Sequence, residues 1–179
     1  MTDWLDGLSQ RIGQAASWLT LGMTLTAFVI VVLRYQFDFG SIALQESVIY
    51  MHGALFMLGA SYALKQDAHV RVDLIYRLLS PRGRAWVDLL GTLLLLLPTM
   101  GFLLYICFEY VAAAWRVMEG SPDAGGLNGV WAFKTLLLIM PVLVALQGVA
   151  QMRKAWRVIR FGAVESDADA SADAHSEEA

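Results

Sequence analysis

The sequence has very few of the residue types that carry redox or metal chemistry. It contains one cysteine, Cys107, and three histidines among 179 residues. A single cysteine excludes an intrachain disulfide, and it excludes the cysteine pairs that quinone-linked disulfide exchange requires. His52 is the only histidine inside a long apolar stretch, so the paired axial ligands of a transmembrane haem cytochrome are missing. Two common classes of membrane redox protein are therefore excluded.

Charged residues are also scarce, at 16% of the chain, whereas soluble domains have about 25%. Four windows contain none, and they cover residues 12–33, 47–64, 89–108 and 135–152. Each is close to the roughly 20 helical residues that cross a hydrocarbon core. We therefore predict an all-α integral membrane protein whose domain, residues 1–162, has spans over about 14–35, 44–64, 86–108 and 131–152.

Basic residues are unevenly distributed between the two sides that four spans define. Three lie on one side, namely Arg34, Arg116 and Lys134, and the other ten lie on the side of the termini and the middle connector. Because Lys and Arg resist translocation, both termini and the connector are predicted to be cytoplasmic. The first window is predicted to be a retained span, since Arg34-Tyr35-Gln36 offers no small-residue cleavage site.

The C-terminal segment differs from the rest of the chain. From Glu165 onward it has six acids, no Lys or Arg and no large apolar side chain. Such a segment cannot bury enough surface to offset its chain entropy. Residues 163–179 are therefore predicted to form a disordered acidic cytoplasmic tail.

Polar residues near the second span offer little chemistry. Glu46, at the start of this span, is interpreted either as an interfacial acid near a helix N-terminus or as a contact with a partner subunit or lipid. His52 is interpreted as a hydrogen-bonded packing residue rather than a proton relay. Gly59 and Ala63 form a small-xxx-small pair, which is typical of a crowded helix contact. No catalytic constellation is present, and the protein is not expected to be an enzyme.

The connector between the second and third spans holds five basic residues. A helix over it would leave Arg71 on an apolar face. Either residues 69–72 are extended and Asp73 caps a short helix, or Arg71 pairs with an acid or a lipid phosphate. Both give a short element along the cytoplasmic interface, which we predict to be a short helix; the alternative is an ordinary positive-inside loop. Ser80 and Pro81 predict the N-cap and first turn of the third span.

Motifs along residues 15–160 form a family-like pattern. They are Leu58-Gly-Ala-Ser-Tyr-Ala-Leu-Lys65, His69-Val-Arg-Val-Asp73, Leu79-Ser-Pro-Arg-Gly-Arg-Ala-Trp86 and Ser121-Pro-Asp-Ala-Gly-Gly-Leu127, with Arg34, Glu46, Trp131, Lys134, Pro141 and Leu146-Gln-Gly148. Together they resemble the small membrane (DctQ-like) subunit of tripartite ATP-independent periplasmic (TRAP) transporters. The 121–126 stretch resembles the mannitol and chloroaromatic subgroup, many of whose members serve 2-oxo or hydroxy monocarboxylates. The chain departs from the pattern at Ala43-Leu-Gln-Glu46, where a tryptophan often precedes the glutamate, and at His52, usually a bulky apolar residue.

This resemblance implies a non-catalytic scaffold in the bacterial inner membrane. The large TRAP membrane subunit would bind sodium and substrate and move in an elevator-like manner, while a periplasmic substrate-binding protein would deliver an organic acid for symport. The small subunit would need no cofactor; it would pack on the large one, help dock the binding protein and contact membrane phospholipids but no nucleic acid. The alternatives are a stand-alone small four-helix transporter and a membrane interaction protein unrelated to transport.

The resemblance also implies candidate contacts with another subunit or with lipid. On the cytoplasmic side these are Lys65, His69, Arg71 and Asp73; on the periplasmic side they are Arg34, Glu46, Trp131 and Lys134; Gln147 lies in the fourth span. Catalytic, cofactor and metal residues are not expected.

Overall fold

The computed structural model describes residues 2–66 and 79–162, and in this part the chain is helical apart from short connections. The helices are α1 (Thr2–Gln36), α2 (Ile42–Lys65), α3 (Pro81–Gly91), α4 (Leu97–Arg116), α5 (Val130–Lys134) and α6 (Leu136–Phe161). The interfacial helix predicted for the connector, with His69, Arg71 and Asp73, lies outside the described residues, as does the predicted tail.

Four helical stretches are long and apolar enough to cross a membrane. They are Asp6–Gln36, Ile42–Lys65, Pro81–Arg116 and Val130–Phe161. The all-α fold with four spans is thereby confirmed. Every stretch is longer than its charge-free window, because a helix continues through exposed charged residues. For example, α1 includes Arg11 and α6 includes Arg153.

The third span begins as its sequence predicts. The Ser80 hydroxyl accepts a hydrogen bond from the Gly83 N–H at 3.2 Å, and Pro81 occupies the first turn. The Ser41 hydroxyl caps α2 in the same way, accepting from the Leu44 N–H at 3.4 Å. Both hydroxyls satisfy a donor that would otherwise lack a helical partner.

A π-helical segment, Thr92–Leu96, joins α3 to α4. The Leu97 N–H donates to the carbonyl of Thr92, five residues earlier. Pro98 follows directly, and it has no N–H to donate to the preceding turn. The local widening thus lies where an α-helical ladder would be interrupted in any case.

Helix α6 contacts α1, α2, α3 and α4, running parallel to α2 and antiparallel to the other three. In the α1–α2 hairpin, Gly13 makes room for an aromatic ring, since a Cβ there would lie 2.5 Å from Tyr62 Cγ. Farther along the pair, Gly22 faces Met51. The third span packs chiefly on α6, where Gly148 accommodates the Leu96 side chain.

The interior consists largely of small residues. The most buried include Ala16, Ser61, Ala85, Ala114, Ala150 and Ala155. Small side chains let helix backbones approach closely, which is the main source of packing energy between helices in a membrane. Large apolar side chains mostly face outward instead.

The helical unit has an inner end and an outer end. The inner end carries the start of α1, the end of α2, the start of α3 and the end of α6. The outer end carries the loops 37–41 and 117–129. The charge distribution predicts that the inner end is cytoplasmic.

Candidate interaction sites at the two ends of the helical unit

At the outer end, Glu46 of α2 holds the 117–129 loop. One carboxylate oxygen accepts a hydrogen bond from the Ser121 hydroxyl, and the other accepts from the Leu127 N–H at 2.6 Å. Hydrogen bonds to a carboxylate are stronger than those between neutral groups. Both oxygens are therefore used inside the chain, and Glu46 fixes the loop against the start of α2.

The loop is shaped to reach Glu46. The Ser121 N–H donates to the Leu127 carbonyl at 3.1 Å, and the Gly126 N–H donates to the Asp123 carbonyl at 3.0 Å. Gly125 adopts φ +84°, a left-handed conformation that glycine tolerates best. A Cβ on Gly126 would clash with Ser121 and lie 2.8 Å from Glu46 Oε1. The two glycines thus permit this tight turn.

Lys134 lies beside this loop in a second polar cluster. Its ammonium pairs with Glu119 at 2.5 Å and sits 4.0 Å from the centre of the Tyr110 ring. The Lys134 side chain is only 14% exposed. Its charge is thus balanced by an acid from the loop and by an aromatic face.

Aromatic side chains complete the outer end. The Trp115 and Trp131 rings meet edge to face at 4.4 Å, and the Trp115 indole N–H donates to Thr135 Oγ1 at 2.9 Å. Tyr50 stacks on Phe133 at 4.5 Å, but its buried hydroxyl finds no hydrogen-bond partner among the described residues. These contacts join α2, α4 and α5 in one layer beneath the loop.

The inner end contains a hydrogen-bond network centred on the buried Gln147 of α6, which we call the Gln147 network. The Gln147 carbonyl oxygen accepts from the Ser9 hydroxyl at 2.7 Å, and its amide donates to Asp6 Oδ1 at 2.8 Å. The other Asp6 oxygen pairs with Lys154 at 2.6 Å. Gln147 is 1% exposed. The first turns of α1 are thereby tied to α6.

Two further bonds at the inner end involve α2. Lys65 Nζ donates to Gln10 Oε1 at 2.8 Å, and Gln151 Nε2 donates to the Leu64 carbonyl at 2.6 Å. The last turn of α2 is thus attached to both α1 and α6. The inner end holds three spans together through polar groups that lie close to the predicted membrane boundary.

Comparison with known proteins identifies the family. A family model described as "Tripartite ATP-independent periplasmic transporters, DctQ component" matches residues 23–158. The chain belongs to the DctQ family. It is a small permease subunit of a TRAP transporter, a family that implies partnership with a large TRAP subunit and a binding protein. The searches of curated proteins and of solved structures gave no match.

Several residues that the resemblance selected have internal partners in this DctQ subunit. Glu46, Lys65, Trp131, Lys134 and Gln147 all bond or pack within the chain. The residues that the sequence motifs selected are therefore among those whose contacts fix the loop and the helix ends. Their contacts with another subunit or with lipid stay predictions.

Arg34 differs from the other outer basic residues. Arg116 pairs with Glu109, and Lys134 pairs with Glu119. Arg34 is exposed, and within residues 2–66 and 79–162 it makes no ion pair or hydrogen bond. Among the outer candidates it thus has the charge that is most available to another molecule.

Two expectations for α2 need correction. The His52 side chain is exposed and has no hydrogen-bond partner in the described part of the chain, so it is not a packing residue here. A Cβ on Gly59 would meet nothing within 4 Å, so this half of the small-residue pair faces open space. Apolar windows alone do not reveal which side of a helix its neighbours cover.

The sequence did not predict the Gln147 network at the inner end. Asp6, Ser9 and Gln10 have i, i+3, i+4 spacing, which places them on one helix face. Gln147, Gln151 and Lys154 share a face of α6 for the same reason. Polar residues on two such faces were the available signal, although spacing could not show that the faces meet.

The polar groups at both ends bind one another. Within the described ranges, no three His, Cys, Asp or Glu side chains are grouped closely enough to hold a metal ion. The Glu46 and Lys134 contacts position a loop, and the Asp6–Gln147 contacts position a helix. The arrangement is suited to holding a fixed shape.

Proposed function

We propose that this DctQ subunit is a static scaffold that packs on the large elevator subunit of its transporter. The observation that carries the proposal is how little of each span the chain covers by itself. At most 22% of the residues in the most apolar window of any span are buried within the chain. Helices with so much free surface are suited to packing against another membrane protein and against lipid.

We further propose that the outer end helps to dock the periplasmic binding protein. The 117–129 loop is held by Glu46, and Arg34 adds an exposed charge at the same end. A loop fixed before binding loses less conformational entropy when a partner arrives. Charged groups at the rim of such a surface mainly affect the rate of encounter.

The cargo of the complex is proposed to be an organic acid, a 2-oxo or hydroxy monocarboxylate, taken up with sodium across the inner membrane. The proposal follows the likeness of the 121–126 stretch to one subgroup of the family. In this proposal both substrate and sodium bind the large subunit, and phospholipids cover the remaining apolar faces. Both termini of the small subunit would be cytoplasmic.

Reconstitution in proteoliposomes tests these proposals. Vesicles with the DctQ subunit, the large subunit and the binding protein should accumulate a labelled 2-oxo monocarboxylate under an inward sodium gradient. Uptake should be lost when the DctQ subunit is omitted. Uptake by the DctQ chain alone would instead support a stand-alone transporter, and uptake that ignores the sodium gradient would contradict sodium coupling.

A further inference from the structure

His52 occupies an unusual place for an ionisable side chain. Helix α2 has 24 residues, which corresponds to about 36 Å of helix, and His52 lies within about 3 Å of its midpoint. The imidazole is exposed and unpartnered within residues 2–66 and 79–162. An imidazole in the centre of a span thus points away from the chain's own interior.

The residues around His52 form a continuous outward stripe. Gln45, Ile49, His52 and Phe56 follow i, i+4, i+7, i+11 spacing, and all four are exposed. Gly59 continues the stripe, with open space where a Cβ would be. We call Gln45, Ile49, His52, Phe56 and Gly59 the His52 face. It combines a polar centre with a notch that a second helix could approach closely.

Lipid is a poor cover for this face. Hydrocarbon offers no hydrogen-bond partner, so a polar group that faces it is left unsatisfied. Ionisable side chains within membrane spans almost always face a protein interior or a water-filled cavity. Since residues 2–66 and 79–162 leave His52 uncovered, a partner membrane protein is the cover that fits this face.

The exposed face of α1 provides a contrast. Its large side chains at mid-span, including Leu21, Leu25 and Phe28, are apolar. The exposed Thr24 hydroxyl donates to the Thr20 carbonyl of its own helix at 2.8 Å. Between residues 12 and 33 this helix carries no ionisable side chain, and its exposed face is suited to lipid.

We propose that a transmembrane helix of the large TRAP subunit packs on the His52 face and hydrogen-bonds the His52 imidazole through a polar side chain. This inference rests on the proposed function, because it names the surface through which the scaffold holds its partner. Gly59 lets the partner helix approach near the inner half of α2. Ile49 and Phe56 supply the apolar contact on either side of the hydrogen bond.

Site-specific photo-crosslinking in the co-expressed complex tests the location. A benzophenone amino acid replaces Ile49 in one variant and Leu21, at the middle of the first span, in the control. Position 49 should crosslink to the large subunit at much higher yield than position 21. Equal yields, or crosslinks from position 49 only to lipid or to a second copy of this chain, overturn the inference.

Substitution of His52 tests the hydrogen bond. His52→Leu should reduce the large subunit recovered with this chain roughly three- to tenfold, as expected for the loss of one hydrogen bond between helices. His52→Gln retains donor and acceptor atoms and should recover more complex than His52→Leu. If lipid covers His52, leucine should be at least as good as histidine, and that result would contradict the inference.

The wild-type chain separates the two proposals. If it co-purifies with the large subunit but fails the crosslinking and His52 tests, the scaffold proposal stands and the His52 face is the wrong surface. If the wild-type chain does not associate with the large subunit, both proposals fail.

Discussion

Glu46 holds in place a loop that lies far from it in the sequence. It is separated from Ser121 by 75 positions and from Leu127 by 81, and its two oxygens take one bond from each. Loop residues are usually more mobile than the residues of the helices or strands that they connect. Here a single carboxylate restricts that freedom at two points of a 13-residue segment.

At this scale we predict that Glu46→Gln loosens the 117–129 loop. The glutamine loses the negative charge and can no longer accept two strong hydrogen bonds. A hydrogen bond to a charged group contributes about 1.5–3 kcal/mol, so amide exchange in the loop should become roughly tenfold faster or more. Hydrogen exchange measured by mass spectrometry gives the readout.

Asp123→Asn is the matched control for Glu46→Gln. It removes one negative charge from the same loop, but the exposed Asp123 side chain makes no hydrogen bond in the described part of the chain. Exchange in this variant should stay close to wild type. Equal acceleration in both variants would mean that net charge, rather than the Glu46 bonds, controls the loop.

The residue scale also marks a limit of sequence reasoning. The sequence identified Glu46, Trp131, Lys134 and Gln147 as residues of interest, but not their partners. Helical periodicity relates residues three or four positions apart, whereas these bonds join distant segments. His52 was misjudged for a related reason, since the sequence does not show which face of α2 is covered.

At the scale of the element, the Gln147 network fixes the first turns of α1 against α6. Asp6 and Ser9 both reach Gln147, which lies nearly two turns before Lys154 on α6. Polar side chains in this environment are costly when one partner is removed. The start of α1 is therefore attached to the bundle by hydrogen-bonded side chains, and the loss of one leaves the others without a partner.

We predict that Gln147→Leu destabilises the protein by about 1–3 kcal/mol, because it leaves buried hydrogen-bonding groups of Asp6 and Ser9 without their partner. Thermal unfolding in detergent should show a lower midpoint. Gln14→Leu is the control, since Gln14 is exposed on α1 and its side chain makes no hydrogen bond in the described residues. An equal loss of stability in both variants would contradict the stabilising role of the Gln147 network.

Two glycines of α2 give a second test at this scale. A Cβ on Gly53 would clash with the Phe133 ring, whereas one on Gly59 would meet nothing within 4 Å. Gly53→Ala should therefore destabilise the isolated chain by about 1–3 kcal/mol through overpacking. Gly59→Ala should be neutral or stabilising by up to about 1 kcal/mol, because alanine favours helix.

The same unfolding experiment compares the two alanine variants. A greater loss of stability for Gly59→Ala than for Gly53→Ala would show that the packing of α2 differs from the one described. The two substitutions are chemically identical and lie on one helix, so helix propensity alone cannot produce opposite effects.

At the scale of the whole molecule, fold and composition agree closely. Four charge-free windows sufficed to predict four spans, because length and apolar content are what a bilayer requires of a span. The arrangement of the helices was less accessible, since the interior is lined by small residues that occur on several faces. The outward surface is correspondingly large and apolar, as in a subunit of a larger membrane assembly.

The same distribution of charge predicts the topology. A fluorescent protein fused after Gly162 should fold and fluoresce, whereas alkaline phosphatase fused there should be inactive, because the positive-inside rule places this end in the cytoplasm. A cysteine replacing Ala124, in a Cys107→Ala background, should react with an impermeant maleimide from outside. The opposite pattern at both sites would reverse the predicted orientation.

The π-helical turn at Thr92–Leu96 bears on how related chains can differ in length. Such a turn contains one residue more than an α-helical turn, because its hydrogen bonds join residues five positions apart rather than four. Losing one residue there would restore an α-helical turn while Leu89 and Val111 still faced the bundle. Natural length variation within the third span is therefore expected at this turn, where the membrane-facing surface on either side can be preserved.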